Sequence, residues 1–360
     1  MGTIGKRVRN AIQEAELRQK EVAEHVGMTP DSLSRALSGQ RGFAAIELAD
    51  IARVLNTDLH HLITGEPEPA RLKLSARHVY NHETHERTVD DIDDDQSVID
   101  AIELAYAQAG DIPQSPNLPR SAGEAKALLG NDLASRFVDK LEYNGIDVVC
   151  VEDLSHAYSF TISGRHIIAI SASGNWFYEN WSLAHELGHL CLGHEGILPG
   201  SNSQSAAERE ANAFAAELLL PEQDMRRLDW QSVTPVQLAH LLWTHGVSTG
   251  ALRTRLTKLD ITPSDTINTI LQGSTQRVLR RHWSHSDMPT GDPITERMTA
   301  ASARRFPAWL KEAHLKRIAE GAVRKHTLAW ILDVDPDALE VEEPPLLEPL
   351  GANELAELLG

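Results

Sequence analysis

Two histidines lie four residues apart in an otherwise apolar stretch, WSLAHELGHLCLGHE, which runs from Trp181 to Glu195. In an α-helix this spacing places the rings of His185 and His189 on one face, one turn apart, where both can bind one metal ion. Most other positions are leucine, alanine or glycine, so the sequence predicts a buried helix. Buried histidines need polar partners. Those partners are either a metal ion or backbone groups of the core.

A second stretch, AAEREANAFAAELLLP, predicts another helix, from about Ser205 to Leu220. Glu208 and Asn212 are again four residues apart and share a face, so Glu208 can supply a third ligand while Asn212 orients a ligand histidine. The alanines of this stretch permit close packing on the first helix. Three other residues are rival third ligands: His194, Glu210 and Glu217.

Two histidines and one glutamate leave a coordination position open, which is typical of catalytic zinc sites. Glu186 lies beside the histidines in sequence and can take a proton from a water molecule that zinc activates. The group that would stabilise an oxyanion is left open among three candidates: Tyr158, Tyr178 and His245.

HELGH followed by EREANAFAAELLLP resembles the ImmA/IrrE family of zinc metallopeptidases, and the resemblance covers roughly residues 121–260. In that family the two histidines and the first glutamate of ExEAN bind the metal, and the glutamate of HExxH is the catalytic base. The resemblance implies that His185, His189 and Glu208 hold one Zn²⁺ per chain and that Glu186 is the base. It also implies a zinc metallo-endopeptidase whose substrate is a protein.

The stretch RQKEVAEHVGMTPDSLSRALSG, residues 18–39, predicts two short helices separated by a turn at Gly27. Thr29 is predicted to cap the second helix, and Pro30 occupies its first position. This layout resembles the lambda-repressor-like (XRE-type) helix–turn–helix family over about residues 3–65. The resemblance implies binding to double-stranded DNA.

Residues of this domain are expected to contact DNA in two ways. Gln19 is expected to bond a phosphate, and the second helix would present Thr29, Asp31, Ser32 and Arg35 to the major groove. Arg35 is the expected guanine reader. Backbone phosphates are expected to meet five further cations: Lys6, Arg7, Arg9, Lys20 and Arg41. Leu37 stands where many relatives carry glutamate. Helix–turn–helix proteins usually bind paired half-sites on DNA, which favours a homodimer. The alternative function for this domain is binding to a protein.

Charge and cysteine content limit where such a protein can act. The net charge of −18 excludes bulk attraction to nucleic acid, so any DNA contact must come from one small module. The two cysteines, Cys150 and Cys191, are too few for a disulfide framework. No signal peptide or membrane span is predicted. We therefore expect a cytoplasmic protein without a membrane partner.

The predicted fold class is mainly α with a small β-sheet (α+β). It comprises a five-helix lambda-repressor-like domain, a zincin-like HExxH domain with three short strands, and a helical C-terminal region. The acidic run DDIDDD is predicted to be solvated, and the prolines of DIPQSPNLPR predict a second linker. The expected divisions are a DNA-binding domain (1–65), a linker with one short helix (66–120), a metallopeptidase domain (121–260), a helical region (261–341) and a tail (342–360).

Together the two resemblances predict a DNA-binding transcriptional regulator fused to a zinc-dependent endopeptidase that cleaves a regulatory protein such as a repressor. The alternative is a regulator without catalysis, in which the metal domain senses a metal or a small ligand. Two further histidine pairs, His82 with His85 and His282 with His285, are interpreted as surface polar residues.

Overall fold

A computed structural model shows a mainly helical chain with a small sheet, which confirms the predicted α+β class. The chain divides into two units, Met1–Arg71 and Leu72–Gly360. No helix in the described part of the chain is long and apolar enough to cross a bilayer. The structure describes residues 4–15, 17–55, 57, 62–63, 79–80, 87–88, 92–130, 132–194, 202–283 and 292–344.

The smaller unit contains the helices α1 (Ile4–Glu14), α2 (Gln19–His25), α3 (Pro30–Leu37) and α4 (Ala45–Val54). As predicted, the Thr29 side chain caps α3 by accepting a hydrogen bond from the Ser32 amide at 3.2 Å. Gly27 adopts the left-handed backbone (φ 66°) that the tight turn between α2 and α3 requires.

The core of this unit is built from one face of each helix, including Val8, Val22, Leu33 and Ile51. Most of the predicted fifth helix, from about Asp58 to Ile63, lies outside the described residues. Leu62 is described, and its fully buried side chain joins this core.

The larger unit has a two-stranded antiparallel pair, a three-stranded sheet and thirteen further helices among its described residues. The strands are β1 (Val79–Tyr80), β2 (Arg87–Thr88), β3 (Ile146–Val151), β4 (Tyr158–Ile162) and β5 (Arg165–Ser171). The helices are α5 (Ile92–Ala109), α6 (Ala122–Leu129), α7 (Phe137–Tyr143), α8 (Trp176–Leu192), α9 (Asn202–Leu219), α10 (Glu222–Arg227), α11 (Pro235–His245), α12 (Thr249–Lys258), α13 (Asp265–Ile270), α14 (Thr275–His282), α15 (Pro293–Ala300), α16 (Ala308–Ala319) and α17 (His326–Leu332).

The three-stranded sheet has the order β3-β5-β4, with β3 parallel and β4 antiparallel to β5. The sequence predicts strands from Ile146 to Val151, from about Ala157 to Ile162 and from His166 to Ser171, and the observed bounds agree to within a residue. The hairpin turn was predicted at Gly164 and Arg165 but falls at Ser163 and Gly164, whose φ values of 48° and 82° suit a two-residue hairpin loop. Arg165 already pairs with Ile162 as the first residue of β5.

Each face of this sheet is covered by a separate hydrophobic core, because alternate side chains of the strands point in opposite directions. Val148 and Ile168 face the core formed with α6 to α9 and the helices that follow. Val149 and Ile167 face the second core, formed with α5, α16 and α17. The sequence places domain boundaries at residues 120 and 260. Together the two cores contain residues from both sides of these boundaries, which remain predictions from the sequence.

The prediction of a solvated acidic run is wrong at Asp95, the last residue of DDIDDD. The sequence predicts a short helix from Ser97 to Ala109, but α5 begins five residues earlier, at Ile92, and includes the fully buried Asp95. Its carboxylate accepts hydrogen bonds from the Ser155 amide (2.8 Å) and the Tyr158 hydroxyl (2.6 Å), and it pairs with His156 Nδ1 (2.6 Å). These partners lie about sixty residues away, so local composition could not reveal them.

Two residues within the second predicted linker, 111–120, are bonded to the sheet. The Ser115 amide donates to the carbonyl of Gly164 at 3.0 Å, and the Ser115 hydroxyl accepts from the His166 amide at 2.8 Å. Gln114 Nε2 donates to the carbonyl of Ser163 at 2.7 Å. A proline-rich sequence favours extended backbone both in a free linker and in a segment bound to a sheet. Here the polar side chains between the prolines bind the segment to the sheet.

One buried carboxylate joins the sheet to helices on its second face. Asp147, on β3, is fully buried and accepts hydrogen bonds from Arg165 on β5 and from the Tyr106 hydroxyl on α5 (2.9 Å). Trp309 Nε1, on α16, donates to the same carboxylate at 3.0 Å. A buried charge is tolerated only when it is paired and hydrogen-bonded, and Asp147 meets both conditions.

Candidate metal centre

Helix α8 carries the two histidines, and its ends are well defined. The Asn175 side chain caps its N-terminus by accepting from the Tyr178 amide, and Gly193 ends it in the left-handed conformation. Helix α9 packs against it with almost no space between the backbones. A Cβ atom added at Gly188 would lie 3.2 Å from Cα of Ala211 and 3.2 Å from Cβ of Phe214.

This close packing brings Glu208 of α9 to both histidines of α8. His185 Nε2 lies 3.3 Å from Glu208 Oε2, and His189 Nε2 lies 3.3 Å from Glu208 Oε1. The two Nε2 atoms are 3.1 Å apart. In the described part of the chain, these three side chains form a group that can hold a metal ion, with ligand atoms all within 4.8 Å of one another.

The charge state of Glu208 suits a metal ligand. Burial alone would raise the pKa of Glu208, but hydrogen bonds and charge from His185 and His189 outweigh it and hold the pKa well below its usual range. The carboxylate is therefore ionised at neutral pH. Two imidazole nitrogens and one carboxylate form a donor set that fits Zn²⁺ and leaves one position open.

His194 contacts the ring nitrogen of His189 that faces away from Glu208. Its Nδ1 lies 3.1 Å from His189 Nδ1, and its Nε2 lies 3.2 Å from Glu210 Oε2. If His189 bonds a metal through Nε2, its Nδ1–H donates to His194, whose Nε2–H then donates to Glu210. Burial, with the neighbouring His189, lowers the pKa of His194 although Glu210 opposes this, which favours the neutral ring that the chain requires.

The sequence suggested that Asn212 orients a ligand histidine, but the hydrogen bond seen for its side chain goes to a backbone carbonyl. Its Nδ2 donates to the carbonyl of Glu208 within its own helix, at 2.8 Å. His194 was a rival third ligand in the sequence analysis. It contacts the ligand candidate His189 from behind, at Nδ1, and also contacts Glu210. The remaining rival, Glu217, is paired with Arg255.

Glu186 is almost fully buried, and the hydroxyl of Ser159 donates to its Oε2 at 2.8 Å. Ser159 lies on β4, so the sheet holds the carboxylate of the candidate base in a fixed direction. Sequence reasoning missed Ser159. The signal was present in YSFTI, where Ser159 alternates with the apolar Tyr158 and Phe160 and must therefore face the other side of the sheet.

The three oxyanion candidates have different surroundings. Tyr158 donates its hydroxyl to Asp95, and His245 Nδ1 bonds the carbonyl of Leu219 at 2.7 Å, so both have structural partners. Tyr178 is bonded to Ser182, and burial raises its pKa, with a further contribution from the charge of Glu186. Tyr178 is thus the candidate whose surroundings include the proposed base.

In the smaller unit, the residues predicted to contact DNA share one region. Gln19 begins α2, and Asp31 and Arg35 are exposed on α3, with Ser32 partly exposed. Thr29 is exposed at the start of α3, and its hydroxyl oxygen serves as the cap. Leu37, the departure from the usual pattern, is buried.

Several of the cations expected at phosphates have partners inside the unit. Arg7 donates to the carbonyls of Leu62 and Ile63, and Arg9 donates to the carbonyl of Leu37. Arg41 donates to the carbonyl of Ser32 and forms an ion pair with Glu47 at 2.8 Å. Residues 1–65 have equal numbers of acidic and basic side chains, so they contribute nothing to the chain's net charge of −18.

Comparison with known families finds a match within each unit. Residues 142–257 match the family described as the IrrE N-terminal-like domain, a peptidase family, and this range includes both histidines and Glu208. Residues 3–62 match a helix-turn-helix domain. Comparisons with curated proteins and with solved structures give no match. The chain thus joins a helix-turn-helix domain, which supports DNA binding, to a domain of a peptidase family.

Proposed function

We propose that the larger unit is a zinc-dependent endopeptidase and that it cleaves a regulatory protein such as a repressor. One observation carries this proposal: two histidine nitrogens and a carboxylate converge within the segment that matches the peptidase family. Glu186, the residue that follows the first histidine, is buried and bonded to Ser159. Zinc held by His185, His189 and Glu208 would supply Lewis-acid activation of water.

The roles of the other residues follow from their positions. Glu186, held by Ser159, takes a proton at its carboxylate and later delivers it to the amine that leaves. His194 and Glu210 keep His189 in the tautomer that presents Nε2. Helix packing at Gly188 sets the separation between Glu208 and the histidines.

A metal assay and one substitution test the proposal. Purified protein should contain about one zinc per chain, and the double substitution His185→Ala with His189→Ala should abolish it. Glu186→Gln, which preserves size, should keep the zinc and lose cleavage of the substrate. A full zinc load in the double variant would refute the site.

Candidate substrates are regulatory proteins encoded near this chain's gene, incubated with and without a chelator. Cleavage that requires metal and disappears in Glu186→Gln supports the endopeptidase. Absence of cleavage across a broad panel, together with DNA affinity that changes with metal, would instead establish a metal-sensing regulator without catalysis.

We also propose that the smaller unit binds a specific duplex site as a homodimer, through the exposed face of α3. The helix-turn-helix match and the exposure of Arg35 and Asp31 on α3 support this. A mobility-shift assay with genomic fragments, run at stated salt, tests it. If the wild-type protein shows no sequence preference and removal of residues 1–66 abolishes capture of a protein substrate, the unit is a docking domain for substrate.

A further inference from the structure

Helix α3 exposes one polar stripe on the side opposite to its buried face. The stripe follows helical spacing and consists of Asp31, Ser34, Arg35 and Ser38. Two of these side chains are charged, and their charges have opposite signs. Asp31 lies in the first turn of α3, and Arg35 lies one turn later. In a helix-turn-helix domain the first residues of the second helix contact base edges, so Asp31 stands where a base is read.

The fold makes no direct use of the Asp31 carboxylate. The cap of α3 is Thr29, whose hydroxyl accepts from the Ser32 amide. Among the described residues, the side chain of Asp31 has no hydrogen bond or ion pair, and neither does the guanidinium of Arg35. Their four-residue spacing would allow the two to pair. A carboxylate in the first turn stabilises a helix slightly through the helix dipole, but that effect leaves both oxygens available to a ligand.

A carboxylate on this face works against attraction to phosphates. Residues 1–65 have no net charge, and Arg7, Arg9 and Arg41 donate to partners inside the unit. The unit therefore has few cations left with which to bind DNA of any sequence, and Asp31 repels phosphate groups. Such a residue lowers the affinity for unrelated duplex. It favours binding only where a hydrogen-bond donor on a base meets it.

The major groove offers a carboxylate two kinds of donor. An ionised carboxylate only accepts hydrogen bonds. The donors on base edges are the amino groups of cytosine (N4) and adenine (N6), whereas guanine and thymine present the acceptors O6 and O4. Arg35 has the opposite chemistry, because a guanidinium only donates and fits the two acceptors of guanine. Asp31 and Arg35 therefore require different bases within one site.

We propose that Asp31 determines base specificity by accepting a hydrogen bond from the exocyclic amino group of cytosine or adenine in the major groove. At the base that Asp31 contacts, guanine and thymine place an oxygen against the carboxylate and are rejected. This inference rests on the proposed DNA binding of the smaller unit and adds to it the chemical class of one base.

The full chain is first used to select its site from a library of random duplexes, at stated salt. Binding of the wild type and of Asp31→Ala is then measured on the selected site, on its single-base variants and on unrelated duplex. At one position the wild type should prefer cytosine or adenine over guanine and thymine by about 5–150-fold. Asp31→Ala should lose this preference, keep the others, and bind unrelated duplex more tightly. Full discrimination by Asp31→Ala at every position would overturn the proposal and leave Asp31 a role in helix stability alone.

Base analogues without the amino group test the contact itself. At the position where Asp31→Ala loses its preference, a pyrimidinone replaces cytosine or an unsubstituted purine replaces adenine, which also identifies the base that is read. Binding of the wild type should weaken by about tenfold, and Asp31→Ala should bind the natural and the altered duplex equally. An equal loss in both proteins would show that the analogue acts through the duplex and that Asp31 makes no contact.

Asp50→Ala is the matched control for charge. Asp50 belongs to the same unit but lies on α4, where it pairs with Arg53 at 2.6 Å. Its removal should leave the base preference unchanged at every position. A changed preference in Asp50→Ala would show that overall charge, and not a contact by Asp31, sets the discrimination.

Thermal unfolding checks that each variant is folded. If Asp31→Ala is not, Asp31→Asn replaces it. Asparagine keeps an acceptor and adds a donor, so this variant should tolerate guanine and thymine at the position where the wild type rejects them. A library that yields no preferred site for the wild type would instead refute the proposed DNA binding, and the role of Asp31 with it.

Discussion

His194 illustrates how one residue outside the ligand set can determine its geometry. Its contact with His189 Nδ1 leaves Nε2 of His189 directed toward Glu208. We predict that His194→Ala lowers zinc affinity about 10–100-fold, which is the usual effect of losing an outer partner of a ligand histidine. Competition with a chromophoric chelator measures this affinity.

Asn212→Ala is the matched control for that prediction. Among the described residues, the Asn212 side chain bonds the carbonyl of Glu208 in its own helix, so its removal should leave zinc affinity nearly unchanged. A larger loss in Asn212→Ala than in His194→Ala would restore the assignment suggested by sequence.

At the residue scale, the sequence predicts which groups converge but not which groups support them. The spacing within one helix places His185 and His189 on one face, and the family resemblance implies that Glu208 of the next helix joins them. The supporting contacts of Ser159 with Glu186 and of Asp95 with His156 join residues 27 and 61 positions apart. No local pattern encodes such distances, because only tertiary packing brings these residues together.

At the scale of elements, the packing of α8 on α9 depends on Gly188. The methyl group of alanine at this position would press on Cα and the carbonyl of Ala211, both backbone atoms, so the helices would have to separate. We predict that Gly188→Ala destabilises the fold by about 1–3 kcal/mol and also lowers zinc affinity, because Glu208 moves with α9. Chemical denaturation and the chelator competition measure the two effects.

Gly123→Ala provides the control, since Gly123 is also helical but a Cβ there meets nothing within 4 Å. It should be neutral or stabilise the protein by up to about 1 kcal/mol, since glycine is a poor helix former. Equal destabilisation by both substitutions would show that helix propensity, and not the contact with α9, explains the Gly188 result.

Asp95 joins α5 to β4, and its ionisation makes this joint sensitive to pH. Burial tends to raise the pKa of Asp95, but the hydrogen bonds from Ser155, Tyr158 and His156 prevail and lower it. A lowered folded-state pKa stabilises the protein above the ordinary aspartate pKa of about 3.9, and this contribution is lost as the pH falls through the folded-state value.

We therefore predict that Asp95→Asn is less stable than wild type by about 1–3 kcal/mol at neutral pH. The difference should shrink below about pH 4, where the wild-type carboxylate begins to gain its proton. Urea denaturation at several pH values measures it. A difference that stays constant down to acid pH would show that the charge of Asp95 contributes nothing.

Elements with local signals were predicted well, and those fixed by distant contacts were not. Strand β3 and the cap of α3 follow from residues within a few positions of each boundary. Helix α5 and residues 111–120 resemble linkers in composition, but they cover the sheet and bond to it. Their role depends on surfaces supplied by β4, β5 and the C-terminal helices.

At the scale of the whole molecule, the division into two units predicts that their functions can be separated by substitution. Arg35→Ala should cost about 1–3 kcal/mol of binding free energy at the cognate DNA site and relax base preference there. It should leave the zinc content and the stability of the larger unit unchanged, as measured by metal analysis and thermal unfolding. Loss of zinc in Arg35→Ala would show that the two units depend on each other.

The second core of the larger unit also dictates when this unit can fold on the ribosome. The strands of its sheet are complete at Ser171, but Phe306, Leu310 and Ile331, which cover one face of it, are synthesised more than a hundred residues later. Asp147 likewise gains its hydrogen bond from Trp309 only later, because Trp309 lies 162 positions further along the chain. Until these residues emerge, the nascent chain exposes an apolar sheet face, so this unit can complete its fold only after Ile331 has been synthesised.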